Sequence, residues 1–292
     1  MYSEHLYKKA SRYGKKKLSK ILGKYFPDRF GKKIRNPVFV IGCGRSGTSM
    51  LTILLRNHLD ICDYSEGNEL WDPKGYHWYN SNIKRPPIWF DADKYIEVWR
   101  QYFSEKYKRQ LKGVFGCYQH LSRRSVFLNK SPMNTFRIPD ILEIFPDSKF
   151  IHIIRDGRAV SYSWGIKQFE IMKKHEDIYR KRGFYYPFNE LVKYIAQSWI
   201  DHIEEVEKQK KKLNLIKKGI LLEFTYEDFC ANPEQYISSI CRYLSLKRER
   251  FRIDDLSNIK SKNYKWRENL NHSTIREINK ILMPTLKKIG QI

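Results

Sequence analysis

The stretch GCGRSGTS at positions 42–49 sets three glycines among Arg45, Ser46, Thr48 and Ser49, side chains that all donate hydrogen bonds. An apolar run at 38–41 precedes it and a helix-like run at 50–56 follows. Strand, tight loop and helix start, in that order, turn free backbone N–H groups and the positive end of a helix toward one point, and a phosphate suits such a point. The spacing Gly42-x-x-x-x-Gly47 matches the Walker A frame, yet Thr48 stands where a nucleotide-hydrolysing loop carries the lysine that meets the outer phosphates. The cation comes earlier, at Arg45. A glycine-rich turn after a strand is often only a turn, but four donors facing one point argue for phosphate chemistry other than ordinary magnesium–nucleotide hydrolysis.

A second group lies in mid-chain. Residues 150–164, FIHIIRDGRAVSYSW, read as a strand that delivers Arg155 at its carboxyl end, a turn through Gly157 and then a helix. Ser163 follows Arg155 by eight residues, so a turn and about one and a half helical turns bring its hydroxyl toward the guanidinium. A planar guanidinium fork with one added hydroxyl makes a second phosphate site. The plainer reading is an Arg-Asp-Gly turn with an aspartate cap. Lys130, in LNKSP, also follows an apolar run and lands on the same edge of the sheet.

The elements that must position these groups are legible in outline. Runs at 126–128, 150–154 and 220–224 join 38–41 as buried parallel strands, with helical stretches between and after them. The pattern predicts an α/β fold, a P-loop-like parallel β-sheet flanked by helices on both faces, with ligands beyond the carboxyl ends of the strands. Leu191, Ile195, Trp199, Ile203 and Val206 mark the inner face of a long helix whose outer side pairs Glu204 with Lys208 and Glu207 with Lys211. Asn232, Pro233 and Gln235 read as a capping box opening the next helix, and Thr274 with Glu277 opens the last one the same way.

Residues 1–35 form a basic amphipathic extension to a domain at 36–292. The extension carries Lys8, Lys9, Arg12, Lys15, Lys16, Lys17, Lys20 and Lys24, with Leu18, Ile21, Leu22, Tyr25 and Phe26 at helical spacing. Such a helix can lie on an anionic membrane surface; packing its apolar stripe on the neighbouring domain is the commoner use.

Composition bounds the rest. The 292 residues suit one large domain, and 41% hydrophobic with 15% aromatic content argues against disorder. No apolar run approaches bilayer length, and the lysine-rich first thirty residues hold no apolar signal segment. Five scattered cysteines, Cys43, Cys62, Cys117, Cys230 and Cys241, suggest neither a disulfide framework nor a zinc site, so a cytoplasmic and at most membrane-peripheral protein with no metal is expected. A net charge of +24 calls for anionic partners but does not choose among nucleic acid, lipid, acidic polysaccharide and a polyanionic cofactor, and the richness in Lys, Ile, Asn and Tyr can follow from base composition alone.

GCGRSGTSML, LNKSP, HIIRDGRAVSYS, TYEDFCANPE and KWRENL occur in the order and rough spacing of sulfotransferases that use 3′-phosphoadenosine 5′-phosphosulfate. From about residue 36 onward the chain resembles that family, in particular its bacterial and tyrosylprotein branch, which carries arginine at the position of Arg45. The resemblance implies that Arg45, Ser46, Gly47, Thr48 and Ser49 cradle the 5′-phosphosulfate and that Arg155 and Ser163 bind the 3′-phosphate. It implies that Lys130 meets the sulfuryl group or the leaving phosphate, and that Arg45 acts with it in catalysis by stabilising the leaving 3′,5′-bisphosphate. Glu66 becomes the general base, with Glu69 as rival and His58 a structural histidine. Ser261, Asn263 and Lys265 fall in a loop that closes over the nucleotide, and Tyr226 falls near the adenosine. The Arg-Lys-Gly loop of the cytosolic small-molecule enzymes is missing.

The resulting expectation is sulfuryl transfer to an acceptor hydroxyl or amine, without a metal and with adenosine 3′,5′-bisphosphate as product. The alternatives are a P-loop kinase, weakened by Thr48 and by the lack of a clear magnesium-holding aspartate, and a basic nucleic-acid or membrane-binding module. The acceptor is not readable. Trp71, Tyr76, His77, Trp78, Tyr79, Trp89 and Phe90, with FYYPF at 184–188, suit a sugar or phenol, but core packing explains them equally well.

Overall fold

Both faces of a parallel sheet are buried, and this dictates the sequence of its central strand. In β1 (Pro37–Ile41), Phe39 and Ile41 pack with Phe115, Phe127 and Phe150 on one side, while Val38 and Val40 pack with Leu51, Leu128 and Ile151 on the other. The computed structural model describes residues 2–75, 85–252, 256 and 258–291, with side chains from Ser11 onward. The lysine side chains of positions 8 and 9, and Tyr76, His77, Trp78 and Tyr79, therefore lie outside the described residues.

Beside β1 lie β2 (Ile61–Ser65), β3 (Val126–Lys130), β4 (Lys149–Ile154) and β5 (Leu221–Thr225), all parallel, in the order β2-β3-β1-β4-β5. Strand β2 is absent from the sequence expectation. Its ICDYS carries a charge in the middle, and Asp63 is nonetheless buried because Arg12, from the N-terminal helix, reaches it at 2.5 Å.

Helices α1 (Tyr2–Tyr25) and α2 (Pro27–Gly31) precede β1, and α3 (Thr48–Leu55) follows it. Between β2 and β3 come α4 (Asn68–Trp71), α5 (Ala92–Tyr102) and α6 (Glu105–Ser122). A 3₁₀ turn, Pro132–Arg137, and α7 (Ile138–Ile144) lead to β4, and α8 (Gly157–Lys174), α9 (Glu176–Lys181) and α10 (Phe188–Leu213) to β5. Then come α11 (Tyr226–Ala231), α12 (Pro233–Tyr243), α13 (Lys265–Asn269) and α14 (His272–Lys288). One face of the sheet is covered by α5, α6 and α7, the other by α3, α11 and α12.

Helix ends differ in detail from the sequence expectation. Asp156 caps α8 by accepting from the Arg158 N–H at 2.8 Å, as the Arg-Asp-Gly turn suggests. Asn232 precedes α12 without making a side-chain cap, and α14 begins two residues ahead of Thr274, capped by Asn271 at 2.8 Å. Glu277 is thereby free to pair with Lys193 of α10 at 3.0 Å. On α10 the pairs are Glu205–Lys208 and Glu207–Lys210 rather than Glu204–Lys208 and Glu207–Lys211, because Lys210 also reaches Glu223 of β5 at 2.9 Å.

Helix α1 docks with the face opposite to the expected one. Arg12, Lys16, Ser19 and Gly23 point inward and Leu22 is half-buried, whereas Leu18, Ile21, Tyr25 and Phe26 are exposed. The close approach depends on glycine: a Cβ on Gly113 of α6 would lie 2.3 Å from the Gly23 carbonyl oxygen and 2.6 Å from Pro27 Cα. Both obstacles are backbone and cannot swing away. Gly113→Val should therefore cost about 1–3 kcal/mol of stability in urea unfolding, the usual scale of overpacking, while an unchanged midpoint would show that α1 and α2 do not dock there.

Candidate active site at the carboxyl edge of the sheet

The ladder register sets the site. Val40 of β1 is paired with Lys130 of β3 and Ile41 with His152 of β4, so the loop after β1, Lys130 and Arg155 emerge side by side. The loop is pinned at its start by the Gly42 N–H, which donates to Thr135 Oγ1 at 3.0 Å. At its end Gly47, with φ 93°, forms the N-cap of α3, and a Cβ there would come within 2.7 Å of the Tyr226 ring. No side chain caps α3, which leaves its first-turn N–H groups and positive dipole end directed at the loop. The Ser46 hydroxyl is buried with no partner among the described residues.

Arg155 organises one side. Its Nη1 donates to the Arg45 carbonyl at 2.8 Å and its Nε to Asn263 Oδ1 at 2.8 Å, while its guanidinium lies 4.4 Å from the centre of the Tyr226 ring. Burial lowers its pKa, with Tyr226 and Glu227 opposing the shift. The backbone of Arg45 is left-handed, φ 68°, and its Nε donates to Ser163 Oγ at 3.0 Å. The Ser163 hydroxyl, expected beside Arg155, thus serves Arg45. All three line one cleft of about 460 Å³ together with Tyr226, Lys262, Lys265 and Trp266. Asn263 sits behind it, bridging Arg155 and Glu227, and Ser261 is exposed with its hydroxyl accepting from the Asn263 N–H at 3.4 Å.

Glu66 organises the other side. Its Oε1 is paired with Lys130 Nζ, its Oε2 accepts from Asn68 Nδ2 at 2.7 Å, and Lys130 also donates to Ser49 Oγ at 3.0 Å. Residues 45–49 therefore run from the Arg155 cleft to the Glu66–Lys130 pair. Asn129, fully buried, donates to the carbonyls of Ser65 at 2.6 Å and Glu66 at 3.2 Å. It accepts from Trp71 Nε1 at 3.2 Å and Asn134 Nδ2 at 2.9 Å.

Glu69 turns away to Lys20 of α1 at 2.6 Å; burial raises its pKa most strongly, but the Lys20 bond, a backbone hydrogen bond and the charges of Lys20 and Lys16 together bring the net shift downward. His58 is a buried structural histidine, its Nδ1 accepting from the Asp60 N–H at 3.1 Å and its Nε2 facing the Lys247 carbonyl at 2.9 Å. Trp71 belongs to the core. Trp89, Phe90, Phe184, Tyr186 and Tyr194 pack on one another, with Phe90 and Tyr186 stacked at 15°. Lys262, Trp266, Thr135 and Asn129 were not singled out from sequence. Lys262 and Trp266 lie within residues 261–269, the segment that carries Ser261, Asn263 and Lys265, while Asn129 and Thr135 act on backbone, which leaves no compositional signal.

Residues 37–250 match the sequence pattern of the sulfotransferase family, and the chain belongs to that family. Among curated relatives, it is 26% identical over 156 residues to an omega-hydroxy-beta-dihydromenaquinone-9 sulfotransferase of Mycobacterium bovis, a match covering 53% of this chain and 35% of the relative. It is 28% identical over 128 residues to a putative protein-tyrosine sulfotransferase of Caenorhabditis briggsae, covering 43% of this chain and 41% of that one. The matched stretches thus span well under half of these relatives. The fold is shared with the sulfotransferase domain of a Synechococcus olefin synthase, at TM-score 0.51 and 18% identity over 85% of this chain and 95% of that one. A Mycobacterium tuberculosis sulfotransferase gives TM-score 0.51 at 14% identity over 91% and 81%.

Arg155→Ala should weaken binding of adenosine 3′,5′-bisphosphate by about 1.5–3 kcal/mol, the scale of hydrogen bonds to charged groups. Titration calorimetry reads this directly, and equal affinities would show that Arg155 does not contact that nucleotide.

Proposed function

We propose that this chain transfers a sulfuryl group from 3′-phosphoadenosine 5′-phosphosulfate to an acceptor hydroxyl. The carrying observation is the continuity of loop 45–49 between an arginine-rich cleft and a carboxylate–lysine pair, two stations that one elongated anionic nucleotide can occupy together. Sulfotransferase family membership supports the reading over a kinase.

The donor set fits the nucleotide. The cleft gathers Arg45, Arg155, Lys262 and Lys265 with the Ser163 hydroxyl, against the carboxylate of Glu170; the buried Ser46 hydroxyl lacks a partner among the described residues. Arg155 and Ser163 would hold the 3′-phosphate, joined by the Arg45 side chain, which bonds Ser163 instead of turning to the 5′ end expected for it, with Asn263, Ser261 and Lys265 on the loop beside it and Tyr226 toward the adenosine. Ser46, Gly47, Thr48 and Ser49, at the uncapped start of α3, would hold the 5′ end. When bound, the nucleotide supplies an activated sulfuryl group on a phosphate leaving group. Lys130, which donates to Ser49, would stabilise the negative charge of the leaving phosphate, and preorganised charge of this kind is usually the largest catalytic contribution. Glu66, oriented by Asn68 and Lys130, takes the acceptor's proton.

An acceptor hydroxyl agrees with the names of both curated relatives, one an omega-hydroxy menaquinone enzyme and the other a protein-tyrosine enzyme. A carbohydrate or phenolic acceptor remains the substrate class inferred for this chain, and a cytoplasmic setting is part of the same reading; among the described residues no helix is long and apolar enough to cross a membrane.

Glu66→Gln should lower turnover by on the order of a hundredfold or more, as loss of a general base does, with nucleotide affinity nearly intact. Undiminished turnover would move the proton transfer elsewhere. Calorimetry with adenosine 3′,5′-bisphosphate against ADP should show a clear preference for the former, and a preference for ADP would return the chain to the kinase reading.

A further inference from the structure

Helix α1 is amphipathic, and its apolar side faces away from the protein. The inner side is made of groups that seldom anchor a helix by apolar contact. Arg12 is paired with Asp63 at 2.5 Å, Lys16 lies 4.6 Å from the centre of the Tyr64 ring, Lys20 is paired with Glu69 at 2.6 Å, and Gly23 meets the backbone of α6. Burial beneath the helix, with Arg12 adding repulsion, brings the Lys16 ammonium down to about 8. These contacts fix the rotation of the helix about its axis.

At 100° per residue that rotation sends Leu18, Ile21 and Tyr25 outward. They are 43%, 49% and 79% exposed, and Phe26, directly after the helix, is 54% exposed. A Cβ placed on Gly14, on the same side, would meet nothing within 4 Å. The helical spacing sets Lys17 and Lys24 along one margin of this stripe and Lys15 along the other, with Tyr13 beside the first pair. An apolar strip between two cationic margins, with a tyrosine at its border, is the makeup of a helix that lies in a lipid headgroup layer. A second protein surface would have to meet both the strip and the lysines with matching acids at matched spacing. An anionic bilayer offers apolar depth and negative charge at every position.

We infer that α1 docks the chain on an anionic lipid surface, with Leu18, Ile21, Tyr25 and Phe26 entering the headgroup–acyl boundary and Lys15, Lys17 and Lys24 meeting lipid phosphates. Because the inner side of α1 touches Asp63, Ser65 and Glu69, the segment that carries Glu66 then lies about one helix diameter, roughly 10 Å, from the lipid.

The test is co-sedimentation of the full chain with phosphatidylcholine vesicles with and without phosphatidylglycerol, at low and high salt. A chain of net charge +24 adheres to any anionic surface at low salt, so the informative signal is the binding that survives high salt. Ile21→Gln/Tyr25→Gln keeps every charge and should lose that salt-resistant binding at least tenfold. Lys17→Glu/Lys24→Glu should lose on the order of tenfold or more at low salt, given the attraction of each lysine to an anionic leaflet. Both pairs are solvent-facing, so melting temperature and affinity for adenosine 3′,5′-bisphosphate should stay at the wild-type values, which also confirms folding. Wild-type chain that leaves the vesicles entirely at high salt, or an Ile21→Gln/Tyr25→Gln variant that partitions like wild type, overturns the inference. So does a concentration-dependent dimer in sedimentation velocity that the same variant abolishes, since the stripe would then belong to a second copy of the chain.

Discussion

The bond from the Arg155 guanidinium to the Arg45 carbonyl ties the phosphate loop to the neighbouring strand, and the geometry of the cleft depends on it. A left-handed Arg45 is an unfavourable backbone state for a residue with a Cβ, and it persists because its carbonyl is held at one end and its side chain by Ser163 at the other. Arg155 in turn is largely buried, a costly place for a charge, and the cost is offset by the Arg45 carbonyl, Asn263 and the face of Tyr226. Three chain segments far apart in sequence thus converge on one cation. Its Nε and Nη1 carry those bonds, and Nη2 makes none to the protein among the described residues.

Much of this was legible from residue types. Strands β1, β3 and β4 announce themselves as apolar runs because both faces of the sheet are covered there, and the edge strand β5, LLEFT and only partly buried, still shows as an apolar stretch broken by one glutamate. The positions of Arg45, Lys130 and Arg155 follow from their place just beyond those runs. Strand β2 was not legible, since Asp63 interrupts it and the compensating charge, Arg12, lies fifty-one residues earlier. Local sequence has no access to such a partner. The same holds for the helix ends: Asn271 and Thr274 are both acceptable caps by type, and the position of α10, with Lys193 waiting for Glu277, selects between them.

The N-terminal helix shows a second limit of pattern reading. Periodicity reports that one side of α1 is apolar, and the usual inference is that this side packs inward. Glycines at 23 and 113 reverse it, because they let two backbones approach at a distance that no leucine-bearing face permits, and the ion pairs of Arg12 and Lys20 then lock the rotation. The direction of an amphipathic helix is therefore a tertiary property, decided by what its neighbour can accept.

Asn129 uses both amide hydrogens and both lone pairs of its carbonyl oxygen, on Ser65, Glu66, Trp71 and Asn134, and the next residue along β3 is Lys130. The main chain of Glu66 and the root of Lys130 consequently hang from adjacent residues of one rigid strand. Breathing of the sheet or sliding of the outer helices carries acid and ammonium together as passengers of β3, leaving their separation to side-chain torsions alone.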